Sequence, residues 1–175
     1  MIEVELRGLL DKKSYNRLMI FFADKADSFI NDNKEVTYYE YNDGILKVVN
    51  EESSGRAKIS LKIGDEFSGL GMDEHDVYLG SRSEVDKCKL ILDRLDHKVK
   101  SVVYQQRNNC VYNGVEFAIK HTKDWGYHFE AEIVVDNQDD VKKARQKIID
   151  VCSELNIVLM TADELRNFIS KLQSK

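Results

Sequence analysis

Proline is absent from the 175 residues, cysteine occurs three times and tryptophan once. Cys88, Cys110 and Cys152 are far apart and odd in number, so they match neither a zinc-binding spacing nor a disulfide framework. A reducing, cytoplasmic setting is the expectation. No apolar run approaches the ~20 residues of a membrane-spanning helix, so no membrane association is expected. Met1-Ile2-Glu3 does not have the form of a signal peptide. An excess of positive charge is missing too: 26 Lys+Arg against 31 Asp+Glu leave a net −5, which argues against nucleic acid as the partner.

Hydrophobic residues make up 42% and charged residues 33%, the balance of a folded chain rather than a disordered one. The length suits a single domain over residues 1–175, large enough to bury a core without staples. Residues 2–8, IEVELRG, alternate as a strand. Tyr15, Leu18, Met19, Phe22, Ala26, Phe29 and Ile30 recur at helical spacing and predict a helix from Lys12 to Asn31. Residues 36–50 read as a hairpin turning at Asn42-Asp43-Gly44, and 56–63 as a strand with Arg56, Lys58, Ser60 and Lys62 on one face. Residues 64–76 hold three of the nine glycines and read as a loop.

Ser81 with Glu84 three later has the spacing of a capping box, opening a helix whose Val85, Cys88, Ile91, Leu92 and Leu95 face inward. Strands are expected at about 101–107, 115–122 and 127–135, and a helix at about 138–154 with Val141, Ala144, Ile148, Val151 and Cys152 on one side. A short strand, IVLM at 157–160, and a last helix from Thr161, with Glu164 three later, complete the pattern. Strands with peripheral helices indicate an α+β fold built on an antiparallel sheet.

The charges on these strands have a direction. Alternate side chains of a strand share a face, so Glu3, Glu5 and Arg7 stand in one row opposite Ile2, Val4 and Leu6. His128, Glu130 and Glu132 form a second row, Glu116 and Lys120 a third, and Gln105 and Arg107 a fourth. A sheet with one face in water accounts for each strand singly. A sheet curled until its charged faces share one polar cavity accounts for them together. Clustered carboxylates there would take Mg²⁺ or Mn²⁺, hard ions that prefer oxygen. Facing arginines and lysines would hold a polyanion such as a chain of phosphates.

Glu3-x-Glu5-x-Arg7 resembles the ExExK signature of the CYTH superfamily, the triphosphate tunnel metalloenzymes. Lys58 and Lys62 in RAKISLKIGD resemble its basic strand, and DGILK, with Lys47, the hairpin before that strand. AIKHTKDWGYHFEAE, ending at Glu130 and Glu132, is similar to its closing segment, while Arg82 and Arg107 take family-like basic positions. The similarity runs over nearly the whole chain in the right order. It differs at four places: Arg7 replaces a lysine, Val49 and Gln105 stand where basic residues are common, and Lys120 where an aspartate is.

The resemblance implies an antiparallel β-barrel, a tunnel of about eight strands, that holds a small triphosphate-containing molecule with Mg²⁺ or Mn²⁺. Glu3, Glu5, Glu130 and Glu132 would then be the metal ligands, with Glu3, Glu5 and Glu132 catalytic through the metal. Arg7, Lys47, Lys58, Lys62, Arg82 and Arg107 would grip phosphate oxygens, with Arg56 and Lys120 as weaker candidates. Hydrolysis of inorganic, organic or nucleoside triphosphate is the first expectation. Cyclisation of ATP to cyclic AMP, a binding module without turnover, and a structural domain with solvated charges are the alternatives. The chain is expected to act as a monomer or homodimer. His128 is expected as an ion-paired or exposed residue; Trp125, Tyr38, Tyr39 and Tyr41 as packing residues or stacking platforms.

Overall fold

The computed structural model describes residues 2–65 and 72–173, apart from the side chains of Arg82 and Gln173. Among the described residues nine strands carry the fold: β1 (Ile2–Leu9), β2 (Ser28–Asn31), β3 (Lys34–Tyr39), β4 (Gly44–Glu51), β5 (Ala57–Ile63), β6 (Met72–Leu79), β7 (Val99–Tyr112), β8 (Val115–Thr122) and β9 (Gly126–Val135). The same residues form four helices, α1 (Lys12–Lys25), α2 (Arg82–Arg94), α3 (Val141–Glu154) and α4 (Ala162–Gln173), with a 3₁₀ turn at Gln138–Asp140 before α3. The strand order is β2-β7-β3-β4-β5-β6-β1-β9-β8, and pairing of β7 with β8 closes eight strands into an antiparallel barrel. The ninth, β2, continues beyond β3 along the same edge of β7.

The barrel is polar inside and apolar outside, which follows from the alternation on its strands. Val4 and Leu6 of β1, Phe117 and Ile119 of β8 and Phe129 and Ala131 of β9 point outward into the main core. There they meet Leu18 and Phe22 of α1 and Ala144, Ile148, Val151 and Cys152 of α3. A smaller core under α2 joins Val85 and Leu92 to Tyr39, Leu46, Val48 and Ala57. Burying the outward faces under helices is the hydrophobic driving force. It leaves the charged rows no place but the lumen.

Several expected boundaries move. The Lys12–Asn31 helix ends at Lys25, because β7 is 14 residues long and its edge beyond β3 is taken by β2, with Phe29 opposite Cys110. The expected loop at 64–76 overlaps β6, which begins at Met72; residues 66–71 lie outside the described residues. Ile91 and Leu95 of α2 are exposed rather than inward. At Ser81 the capping box is not formed: Glu84 accepts instead from the Gly80 N–H at 2.5 Å. At Thr161 it is formed, with Glu164 accepting from the Thr161 N–H at 2.7 Å and returning its own N–H to Thr161 Oγ1 at 3.2 Å.

Residues 157–160 are not a strand, yet the reason they resemble one is visible. Among the described residues β1 meets β6 at Ile2–Asp73 and Glu3–Met72, and the 157–160 segment runs beside the later part of β1. Met160 donates its N–H to the Arg7 carbonyl at 2.8 Å. A Cβ on Gly8 would stand 2.2 Å from the Val158 carbonyl oxygen and 2.5 Å from the Phe129 ring. Only glycine permits that approach.

Candidate functional site

The rows of charge meet in the lumen. In the β1–β9 register Glu5 lies opposite Glu132 and Arg7 opposite Glu130, so strands from the two halves of the chain bring their acids together. Carboxylate oxygens of Glu3, Glu5 and Glu132 all lie within 4.8 Å of one another. Like charges directly opposite on neighbouring strands are unfavourable. Burial, a hydrogen bond shared with Glu74 and the charge of Glu132 raise the Glu3 carboxyl to about 10, against the pull of Lys62. Burial and the Glu5 charge raise Glu132 as well. Burial acts the same way on Glu5, but Arg7, Lys62 and Lys120 together outweigh it and bring that carboxyl below its ordinary value.

This trio fits a hard divalent ion. Metal–oxygen bonds of ~2.1 Å set neighbouring ligand oxygens roughly 3–4 Å apart, and oxygens that lie within 4.8 Å of one another need only a small adjustment to reach that spacing. The donor set is all oxygen, as Mg²⁺ and Mn²⁺ prefer. Glu130 is held differently. It pairs directly with Lys120 and stands 3.5 Å from Arg7 Nε and 3.5 Å from Arg107 Nη1. Burial opposes its ionisation, yet these three cations hold it well below the usual carboxylate range.

Five of the expected phosphate-binding residues, Arg7, Lys47, Lys58, Lys62 and Arg107, line the same lumen. Lys62 Nζ lies 2.6 Å from Glu3 Oε1, 3.6 Å from Glu5 Oε2 and 3.8 Å from Glu74 Oε2. Lys58 pairs with Asp76 at 2.5 Å and stands 3.6 Å from Glu74, while Lys47 is 3.9 Å from Glu74. Burial and the neighbouring Lys62 charge lower the Lys47 amine to about 8. Arg107 donates to Asn109 Oδ1 at 2.6 Å and faces Asp32 at 3.7 Å. Arg82 opens α2, and its side chain lies outside the described residues. Arg56 is on the rim, exposed and paired with Glu51.

Sequence reasoning missed Glu74 and Asp76, which β6 delivers, and the Asp32–Lys34 pair at 2.6 Å that flanks Arg107. The signal for the first was the alternation in DEHDVYL. His128 is also a correction: it is 4% exposed and stacked on Trp125, its Nδ1–H donating to the Gly126 carbonyl at 3.0 Å. Trp125 packs on Phe168 of α4, Tyr39 belongs to the small core, Tyr41 sits near His97 and Tyr38 is surrounded by lumen charges. Burial, aided by the Lys120 charge, lowers the His128 imidazole from 6.5 to about 4. Between those values the unfolded chain takes up a proton that the folded barrel refuses, so stability falls on acidification by up to about 3 kcal/mol. Urea unfolding at several pH values should show that loss, and His128→Gln should remove most of it; an unchanged slope in the variant would place the effect elsewhere.

Among the described residues no helix is long and apolar enough to cross a membrane. No protein-family model and no curated protein matches the chain. Solved structures do. A candidate adenylate cyclase from Vibrio parahaemolyticus superposes with a TM-score of 0.74 at 11% identity, over 97% of this chain and 98% of that one. A chain of the Schizosaccharomyces pombe Mediator head module gives 0.70 at 13%, over 91% and 98%. A candidate adenylyl cyclase from Hippeastrum, described as having a dominant triphosphatase activity, gives 0.61 at 11%, over 90% and 89%. At such identities the likeness establishes a shared fold.

Proposed function

We propose that this chain is a divalent-metal-dependent enzyme that hydrolyses a triphosphate inside its barrel. The observation that carries the reading is the Glu3–Glu5–Glu132 trio, with oxygens within 4.8 Å, set in a lumen that also holds Arg7, Lys47, Lys58, Lys62 and Arg107. Two of the structurally similar proteins described above, from Vibrio parahaemolyticus and Hippeastrum, are adenylate cyclase candidates, and the second is described as a triphosphatase, which supports a triphosphate as substrate.

The chemistry asked of the barrel is displacement at phosphorus. Water attacks the terminal phosphorus and gives up a proton to solvent, the bond to the bridging oxygen breaks, and orthophosphate leaves together with the diphosphate, free or still joined to its organic group. Charge spreads over non-bridging oxygens in the transition state, so positioning and charge neutralisation do most of the work. Bound at the trio, Mg²⁺ or Mn²⁺ would polarise phosphoryl oxygens and lower the pKa of a bound water. Arg7 and Arg107 offer forked donors to phosphate oxygens, and Lys47, Lys58 and Lys62 offer point charges. Asn109 and Asp32 fix the Arg107 head. Lys62 has to leave Glu3 to meet phosphate, which couples filling of the acidic trio to capture of the anion.

Incubation with ATP, thiamine triphosphate and inorganic triphosphate, each with Mg²⁺ or Mn²⁺, tests the reading. Orthophosphate release is expected. Cyclic AMP with pyrophosphate would assign a cyclase instead, and saturable binding without product a binding module.

A second outcome follows from the Glu3 proton. That proton must leave before the carboxylate can hold a cation, so Mn²⁺ affinity should climb by up to about tenfold per pH unit between about pH 6 and 9. Isothermal titration in buffers of different ionisation enthalpy measures both the affinity and the proton released. A flat profile would mean that Glu3 takes no part in binding.

A further inference from the structure

The four glutamates that β1 and β9 bring to the lumen are not equivalent, and Lys120 is what divides them. It stands on β8 between Arg107 of β7 and His128 of β9 in the sheet register. Its side chain is 4% exposed, and its ammonium pairs directly with Glu130. Arg7 and Arg107 complete the ring of positive charge around that carboxylate. The other three acids, Glu3, Glu5 and Glu132, share one small volume. Lys62 faces Glu3 and Glu5 and Arg7 pairs with Glu5, so two cations serve these three acids, whereas Glu130 alone is met by three.

A carboxylate ringed by three cations repels a further divalent ion, however well its oxygens suit one. We propose that Lys120 is a tethered counter-cation that takes the place of a second divalent ion, so that the barrel binds one metal ion per chain, at Glu3, Glu5 and Glu132. This rests on the metal-dependent reading above. It makes Lys120 a positioning residue: by holding Glu130 it also sets the two arginines that flank the phosphate path. A lysine differs from a metal ion in that it is always present and cannot exchange, so Glu130 stays neutralised at any metal concentration.

Titration of the full chain with Mn²⁺, read by loss of the free-ion electron paramagnetic resonance signal, counts the sites. One site per chain is expected for the parent and for Lys120→Arg. Lys120→Asp should add a second, within about tenfold of the first in affinity, that disappears again in Lys120→Asp combined with Glu130→Gln. Glu130→Gln alone should keep the single site, and this variant decides the matter if Lys120→Asp fails to fold. Two sites in the parent, a single site in folded Lys120→Asp, or loss of manganese binding in Glu130→Gln would each overturn the proposal. No manganese bound by the parent would instead overturn the metal-dependent reading, and this proposal with it.

Discussion

Glu132→Gln should lower metal-dependent triphosphate turnover by about a hundredfold or more while leaving the metal-free barrel at least as stable as the parent. The two effects have one cause. Glu132 lies opposite Glu5 in the register, and its carboxyl is raised by burial and by that neighbour. Replacing the carboxylate with a neutral amide of the same shape removes a like-charge contact, a gain of up to about 1 kcal/mol. The same change removes an oxygen anion from the site that would hold the ion. Melting with EDTA should therefore show an unchanged or higher midpoint. Melting with Mn²⁺ should raise the parent and not the variant, because a ligand of the native state alone stabilises it. Full turnover in a folded Glu132→Gln chain would sink the assignment, and a large loss of stability would show that the trio is structural instead.

Lys62→Met should do the opposite to stability. Lys62 is 7% exposed and faces Glu3 through both carboxylate oxygens, at 2.6 and 2.7 Å, with Glu5 and Glu74 within 4 Å. Removing the cation strands the largely buried carboxylates of Glu5 and Glu74, which the parent holds below their ordinary values with Lys62 among the causes, at about 3–5 kcal/mol. Without Lys62 the stranded acids hold protons more tightly in the folded barrel than in the unfolded chain. A raised folded-state value adds stability below the unfolded pKa that is lost as pH rises, so the deficit should be small near pH 5 and full near pH 8. Mn²⁺ should restore part of it by supplying the missing charge. Guanidinium unfolding of parent and variant at both pH values, with EDTA and with Mn²⁺, makes the comparison. Equal stability at pH 8 with EDTA would mean that Lys62 does not neutralise the acids.

The barrel was legible in the sequence where a strand has one covered face. β1, β5, β8 and β9 alternate sharply because helices bury their outer sides, and the same alternation places Glu3, Glu5, Arg7, Lys58, Lys62, Glu130 and Glu132 inside. β6 was hidden because its outer face is largely uncovered. Asp73, His75 and Val77 are exposed there, so no apolar period marks the strand, and Glu74 and Asp76 were lost with it. β2 was hidden by a coincidence of spacing: Phe29 continues the α1 stripe but packs into the same core from a strand. Which acids would share one volume was beyond any one-dimensional pattern. Glu130 and Glu132 are two residues apart on one face, yet Lys120 and the two arginines enclose one, while Glu3 and Glu5 crowd the other. That distinction depends on register between strands distant in sequence.

The inverted layering of this barrel separates what holds it together from what it holds. The apolar packing lies outside the wall, under α1, α2 and α3, and the charges lie within it. The contents of the channel can therefore be rewritten residue by residue while the jacket that keeps the wall folded stays as it is.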